Sequence, residues 1–129
     1  MACVRHPDVS SPKRLLFVCS GNICRSPLAE AIFRHQAKQA GRASDFELDS
    51  AGTHGYHEGE PADPRARRAG AVRGVAVTSI AREVRDSDFG HFDLILAMDR
   101  GHLRELRGRC PAPLRSPLSS TVTSTSAGL

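Results

Sequence analysis

Phe17-Val18-Cys19-Ser20-Gly21-Asn22-Ile23-Cys24-Arg25-Ser26-Pro27 is the stretch on which the reading of this chain turns. The apolar run that leads into it, Leu15 to Val18, reads as a buried strand. Gly21 and Asn22 are the two residue types that best tolerate positive φ, so a tight loop follows. Ser26 then reads as a helix N-cap whose hydroxyl can also donate to a thiolate at Cys19, with Pro27 at the first helical position, where its missing N–H costs nothing. A strand that passes into a helix through such a loop aims backbone N–H groups and the positive helix end at one point. That makes an anion site.

Cys19 and Arg25 lie in that loop with five residues between them. The loop N–H groups, the helix dipole and the guanidinium all favour a thiolate at Cys19. The same donors suit three oxygens of a phosphate whose phosphorus faces the sulfur, and the planar fork of Arg25 can make two parallel bonds to it. The chemistry implied is attack by thiolate on a phosphoryl group, giving a phosphocysteine intermediate.

Working outward, 129 residues suffice for one domain with a modest single core, and 40% hydrophobic content is ordinary for a globular chain. No run approaches a membrane span, and residues 1–12 lack the apolar core of a signal peptide, so a reducing cytoplasm is the expected compartment. The four cysteines form no disulfide scaffold: Cys19 and Cys24 share the anion loop, while Cys3 and Cys110 sit near the ends. No His/Cys spacing suggests a metal site. The net charge of +4 is scattered arginine, with small clusters only at Lys13-Arg14 and Arg65-x-Arg67-Arg68 and few aromatics. This fits a solvated surface that attracts anionic substrates better than nucleic-acid binding.

The chain divides into an N-terminal extension over 1–12, a folded domain over 13–109 and a Pro/Ser/Thr-rich tail over 110–129. Both ends are expected to be disordered, since such composition buries little apolar surface. Within the domain, Lys13 to Cys19 is the first strand, and Ser26 to about Ala40 an amphipathic helix stopped by Gly41. Phe46 to Ser50 is a second strand, leading into a glycine-rich loop over Ala51 to Gly59. This order predicts a right-handed parallel crossover. Pro64 to about Val72 reads as a helix capped by Asp63. Asp86-Ser87-Asp88 resembles a cap, Asp93 to Met98 is a strand buried on both faces, and Gly101 to Arg107 is a short helix.

Val18 to Pro27 resembles the signature loop of the low-molecular-weight protein tyrosine phosphatases. The likeness continues through Asp49-Ser50-Ala51-Gly52-Thr53, Asp63-Pro64-Arg65-Ala66 and Phe92-Asp93-Leu94-Ile95-Leu96-Ala97-Met98-Asp99, in order, across residues 13–109. A bare Cys-x5-Arg is weak, but ten matching residues with three later blocks are specific. The resemblance implies an α/β fold, a twisted parallel sheet with flanking helices. It also implies hydrolysis of phosphotyrosine on a protein or of a small aryl phosphate, with no cofactor. Cys19 becomes the nucleophile, and Arg25 with Ser20, Gly21, Asn22, Ile23, Cys24 and Ser26 the phosphate cradle. Cys24 matches the family's second loop cysteine, which can pair with Cys19 against over-oxidation. Plain packing is the competing reading. Tyr56 stands where the family often has an aromatic wall for the substrate ring.

After residue 109 the likeness stops. The family's last strand, its Asp-Pro-Tyr loop and its closing helix are not visible, and no aspartate follows Asp99. The fold is therefore expected to lack its last strand and closing helix, leaving Asp93–Met98 as an open sheet edge with an uncovered apolar face. The Asp-Pro-Tyr aspartate supplies the general acid in the family, so activity is expected to be impaired, on the scale of about 10²–10⁴-fold. Asp99 is the one surrogate at the correct rim, although capping the next helix explains it as well. His54 and His57 read as exposed loop residues. Two rivals stand beside the phosphatase reading. One is a non-catalytic phosphate or phosphotyrosine binder, or an inactive fragment. The other is a thioredoxin-coupled arsenate reductase, which needs two further downstream cysteines where only Cys110 follows Cys24.

Overall fold

The computed structural model describes residues 2–3, 13–109, 115–116 and 122–124. Strand β1 is Ala2–Cys3 and β2 is Lys13–Cys19, followed by helix α1 (Arg25–Gln39), a 3₁₀ turn over Ala43–Asp45 and β3 (Phe46–Gly52). Then come α2 (Pro64–Val72), α3 (Asp86–His91), β4 (Leu94–Ala97), α4 (Arg100–Arg109), β5 (Arg115–Ser116) and β6 (Val122–Ser124). The four-stranded sheet has the order β3-β2-β4-β6 with every pairing parallel, while β1 and β5 form a separate antiparallel pair.

Period-two alternation in β2 explains why the sheet is covered twice. Leu16 and Val18 face one way, where they meet Ala51, Phe89, Phe92, Ile95, Ala97 and Leu106 of the surrounding elements. Leu15, Phe17 and Cys19 face the other way, against Ala29 of α1 and Met98. A third cluster packs Leu28 and Ala31 of α1 against Ala62, Val75 and Val77, which flank α2, with Ala69 of α2 packed against it. The predicted helix limits hold to within two residues, and Asp63 caps α2 by accepting the Arg65 N–H at 2.8 Å. Gly41, with φ 70°, ends the turn after α1 as expected of glycine at such a position. Leu16 is completely buried. Leu16→Ala is expected to cost about 2–5 kcal/mol, read as a lower urea midpoint at an unchanged m-value.

The expected open edge at Asp93–Met98 is corrected by the structure. Val122–Ser124 pairs in parallel with β4, in the register Ile95↔Val122, Leu96↔Thr123 and Ala97↔Ser124. The sheet thus gains a last strand from a tail whose composition predicted none. Three residues within a Ser/Thr/Pro-rich segment are too short to leave a period, although Val122 and Thr123 are β-formers. The apolar face of β4 is half covered: Leu94 and Leu96 remain half-buried beside α1. The disorder expected of residues 4–12 and of 110–114, 117–121 and 125–129 lies outside the described residues, as do Cys3's side chain and Cys110.

The site sits where this topology puts it. From β2 the chain moves to β3 on one side and later to β4 on the other, so a crevice opens beyond the carboxyl end of β2. The residues that follow β2 are Ser20–Cys24.

Candidate active site

Asn22 adopts the left-handed conformation, φ 58°, that the loop demands. Its side chain is buried and used at both ends: Nδ2 donates to Ser26 Oγ at 2.8 Å, and Oδ1 accepts the Arg82 N–H at 3.0 Å. The loop carbonyls are held from outside. Thr53 N–H donates to Cys19 O at 2.8 Å, His54 N–H to Ser20 O at 2.9 Å and Asp63 N–H to Ile23 O at 2.7 Å. Because C=O and N–H oppose each other across a trans peptide, the N–H groups of Ser20, Gly21 and Cys24 point away from these partners. Gly52 lets the neighbouring strand approach this closely: a Cβ there would stand 2.6 Å from Ser20 O and 3.1 Å from Asn22 N.

Cys19 is buried and Ser26 Oγ lies 3.0 Å from its Sγ. Since Ser26 accepts from Asn22, its single proton is free to point at the sulfur, and the alternative acceptor, Ala51 O, is farther at 3.4 Å. Of the two roles read for Ser26, helix cap and hydroxyl donor to the thiolate, the first is corrected here and the second agrees with the geometry. Helix α1 begins at Arg25 with Cys24 at the cap position, and no side chain caps it. The hydroxyl serves the thiol instead. Cys19 and Cys24 are both free, the first buried and the second exposed.

Arg25 reaches the rim, where Nη2 meets Asp99 Oδ2 at 3.1 Å with both side chains nearly half exposed. Pairs so exposed contribute about 0–1 kcal/mol, so the guanidinium is aimed rather than locked. Asp99 has two duties. It accepts the His102 N–H at 2.8 Å at the start of α4, and it orients Arg25. The His102 N–H bond, with Arg25 adding and burial opposing, holds the Asp99 carboxyl below the usual carboxylate range. These contacts make Asp99 an orienting group for Arg25 and a cap at the start of α4.

Several neighbours were not legible in the sequence. His102 is buried, with Nε2 2.7 Å from Ser20 Oγ and Nδ1 3.3 Å from Asp99 Oδ1. Its only sequence trace is the Asp99-x-x-His102 spacing at a helix start. Arg82 ties the loop's support together, since its guanidinium bonds Asp49 at 3.1 Å and Asp88 at 2.9 Å while its N–H holds Asn22. Arg109 donates to Thr53 O at 2.7 Å and to Glu83 at 2.8 Å, fastening the segment behind the loop.

His54 and His57 are corrected from exposed loop residues to half-buried ones. A Cβ on Gly21 would meet the His57 ring at 2.9 Å, so this ring lies against the anion loop, with Nδ1 2.9 Å from Glu60 Oε2. His54 stacks on Tyr56 with ring centres 5.0 Å apart. Tyr56 itself is 77% exposed, an aromatic face on the segment that leaves β3.

A family model described as low molecular weight phosphotyrosine protein phosphatase matches residues 14–113. A low molecular weight protein-tyrosine-phosphatase of Streptomyces coelicolor is 51% identical over 98 residues, 76% of this chain and 60% of that protein. The chain thus spans about 60% of the length of such curated relatives. Among solved structures, a protein tyrosine phosphatase from Entamoeba histolytica in a product-state mimic superposes with a TM-score of 0.81 at 42% identity, covering 91% of this chain and 76% of that one. A Drosophila arginine phosphatase does so with a TM-score of 0.74 at 33% identity, over 85% and 68%. The loop around Cys19, the fold that carries it and these similarities agree: the chain belongs to the low molecular weight phosphotyrosine protein phosphatase family.

Proposed function

We propose that this chain hydrolyses aryl phosphate monoesters of the phosphotyrosine type, on proteins or as small molecules, through a phosphocysteine on Cys19. The observation that carries the reading is the buried Cys19 Sγ 3.0 Å from a Ser26 hydroxyl free to donate to it, in a loop whose next arginine stands at the rim. Attack by the thiolate forms the S–P bond as the P–O bond to the leaving group breaks. Arg25 and the N–H groups of Ser20 to Arg25 hold the three equatorial oxygens as charge redistributes. Tyr56, stacked on His54, supplies the aromatic wall for the substrate ring. Cys24 stands ready as the partner that shields Cys19 from over-oxidation. No cofactor enters this scheme, and the free thiols suit a reducing cytoplasm. No helix among the described residues is long and apolar enough to cross a membrane.

Two measurements test the reading. Vanadate, a phosphate mimic that bonds to a thiolate, is expected to raise the melting temperature, since it binds only the assembled loop. Turnover of p-nitrophenyl phosphate, with a phosphoarginine peptide as the second substrate, is expected to favour the aryl ester. Vanadate stabilisation without turnover of either substrate means a phosphate binder, and preference for phosphoarginine overturns the substrate class.

A further inference from the structure

One side of α4 is set apart by its charge. Arg100, Arg104 and Arg107 follow one another at intervals of four and three residues, so they stand in a row along the helix. With Leu103 among them they line one depression of about 450 Å³. Arg100 and Arg104 are exposed, and Arg107 is half-buried. Other arginines around the loop are occupied: Arg25 by Asp99, Arg82 by Asp49 and Asp88, Arg109 by Glu83. Among the described residues no carboxylate pairs with Arg100, Arg104 or Arg107. Arg107 Nε is moreover buried with no hydrogen-bond partner. A buried donor without an acceptor carries a desolvation cost, which a ligand oxygen reaching it would relieve.

Position ties this row to the site. Arg100 follows Asp99, which aims Arg25, so the row starts at the rim of the anion loop and leads away from it. From Arg100 to Arg107 the helix advances roughly 10 Å, at about 1.5 Å per residue. An extended peptide advances about 3.3 Å per residue, so roughly three of its residues span the row.

We infer that this face of α4 receives acidic side chains that flank the phosphotyrosine of a protein substrate. The inference rests on the phosphatase reading above and deepens it, because it names the kind of protein that the site selects. Three unpaired cations in a row complement carboxylates in charge, and each guanidinium fork can take a carboxylate through two bonds. Leu103 gives the depression an apolar floor for the stems of those side chains. The described residues that line it include no aromatic ring on which a nucleic-acid base could stack. A concave site also fits separate side chains better than it fits the flat charge of a lipid surface. p-Nitrophenyl phosphate has no flanking residues, so its turnover does not depend on this face.

The experiment compares the full chain with Arg104→Glu and Arg107→Gln on three substrates. These are p-nitrophenyl phosphate, a phosphotyrosine peptide flanked by Asp and Glu, and the same peptide with Asn and Gln in their places. The parent is expected to favour the acidic peptide about tenfold in kcat/KM at low salt, and less as ionic strength rises. Arg104→Glu is expected to abolish that preference and Arg107→Gln to reduce it, while p-nitrophenyl phosphate turnover and the vanadate shift stay at parent values. Arg104 is exposed, so its variant reports on the face even where Arg107→Gln disturbs packing. Lys38→Glu makes the same change of charge in the last turn of α1, the end away from the loop, and is expected to keep the preference. A parent that hydrolyses both peptides equally, a preference that survives Arg104→Glu, or one that Lys38→Glu also removes overturns the docking face and leaves the phosphatase reading standing. Phosphatidylserine vesicles and a short single-stranded RNA serve as competitors. Either one binding more tightly than the acidic peptide, and losing that binding in Arg104→Glu, assigns the face a different partner and overturns the inference. A parent that turns over none of the three substrates overturns the phosphatase reading and the inference with it.

Discussion

Cys19→Ser is expected to abolish turnover of p-nitrophenyl phosphate, with kcat reduced by something on the order of 10⁶, the scale seen when a hydrolase loses its nucleophile. The substitution exchanges sulfur for oxygen at a buried position that already has a hydroxyl 3.0 Å away, so the loop's hydrogen bonds survive. What is lost is the ionised nucleophile, because a serine hydroxyl in this site has no adjacent base: Ser26 has its proton to give and Asn22 donates. Inorganic phosphate should still bind, since Arg25 and the loop N–H groups are untouched. The check is a steady-state assay beside a thermal melt with phosphate. Full stabilisation with no turnover is the expected pair of results. Turnover within tenfold of the parent would move the nucleophile elsewhere.

Arg25→Lys should be the next most damaging change, lowering kcat by about 10²–10³-fold, the usual cost of deleting one preorganised donor to a developing charge. Charge is conserved, so simple attraction of the phosphate persists. The planar fork is not conserved, and with it go the two parallel bonds to equatorial oxygens. The pairing with Asp99 helps separate the cases. A lysine ammonium can still reach the carboxylate, so Arg25→Lys should melt near the parent temperature in buffer yet show a much smaller vanadate shift. Equal vanadate shifts in variant and parent would mean that Arg25 does not touch the phosphate.

Much of the fold was legible because its signals are local. The apolar run of β2, the Gly21-Asn22 turn, Asp63 before Pro64 and the four-residue core of β4 each carry their own physical cause within a few positions. Cys19 and Arg25 were legible as a candidate nucleophile and a candidate phosphate-binding arginine for the same reason. What escaped notice was made by contacts between distant residues. His102 was silent, because nothing in its helix foretells a serine 82 positions earlier. Arg82 likewise reads as one more surface arginine until Asp49 and Asp88 close on it. Strand β6 was missed for a different reason: main-chain pairing with β4 defines it, and main-chain pairing leaves almost no trace in composition.

The sheet order has a consequence in time. The strand that ends at Cys19 is the first of the four to be made, yet it lies inside the sheet and needs β3 on one flank and β4 on the other. Cys19 is followed by roughly 80 residues before Asp99 arrives to aim Arg25, which at about 5–20 residues per second of synthesis amounts to roughly 4–16 s. During that interval the thiol belongs to an unpaired apolar segment with no cradle around it. A nascent chain of this order is thus exposed to oxidants and to chance pairing with Cys24 before the finished protein can bury its sulfur, and the vulnerable period is set by translation speed rather than by stability.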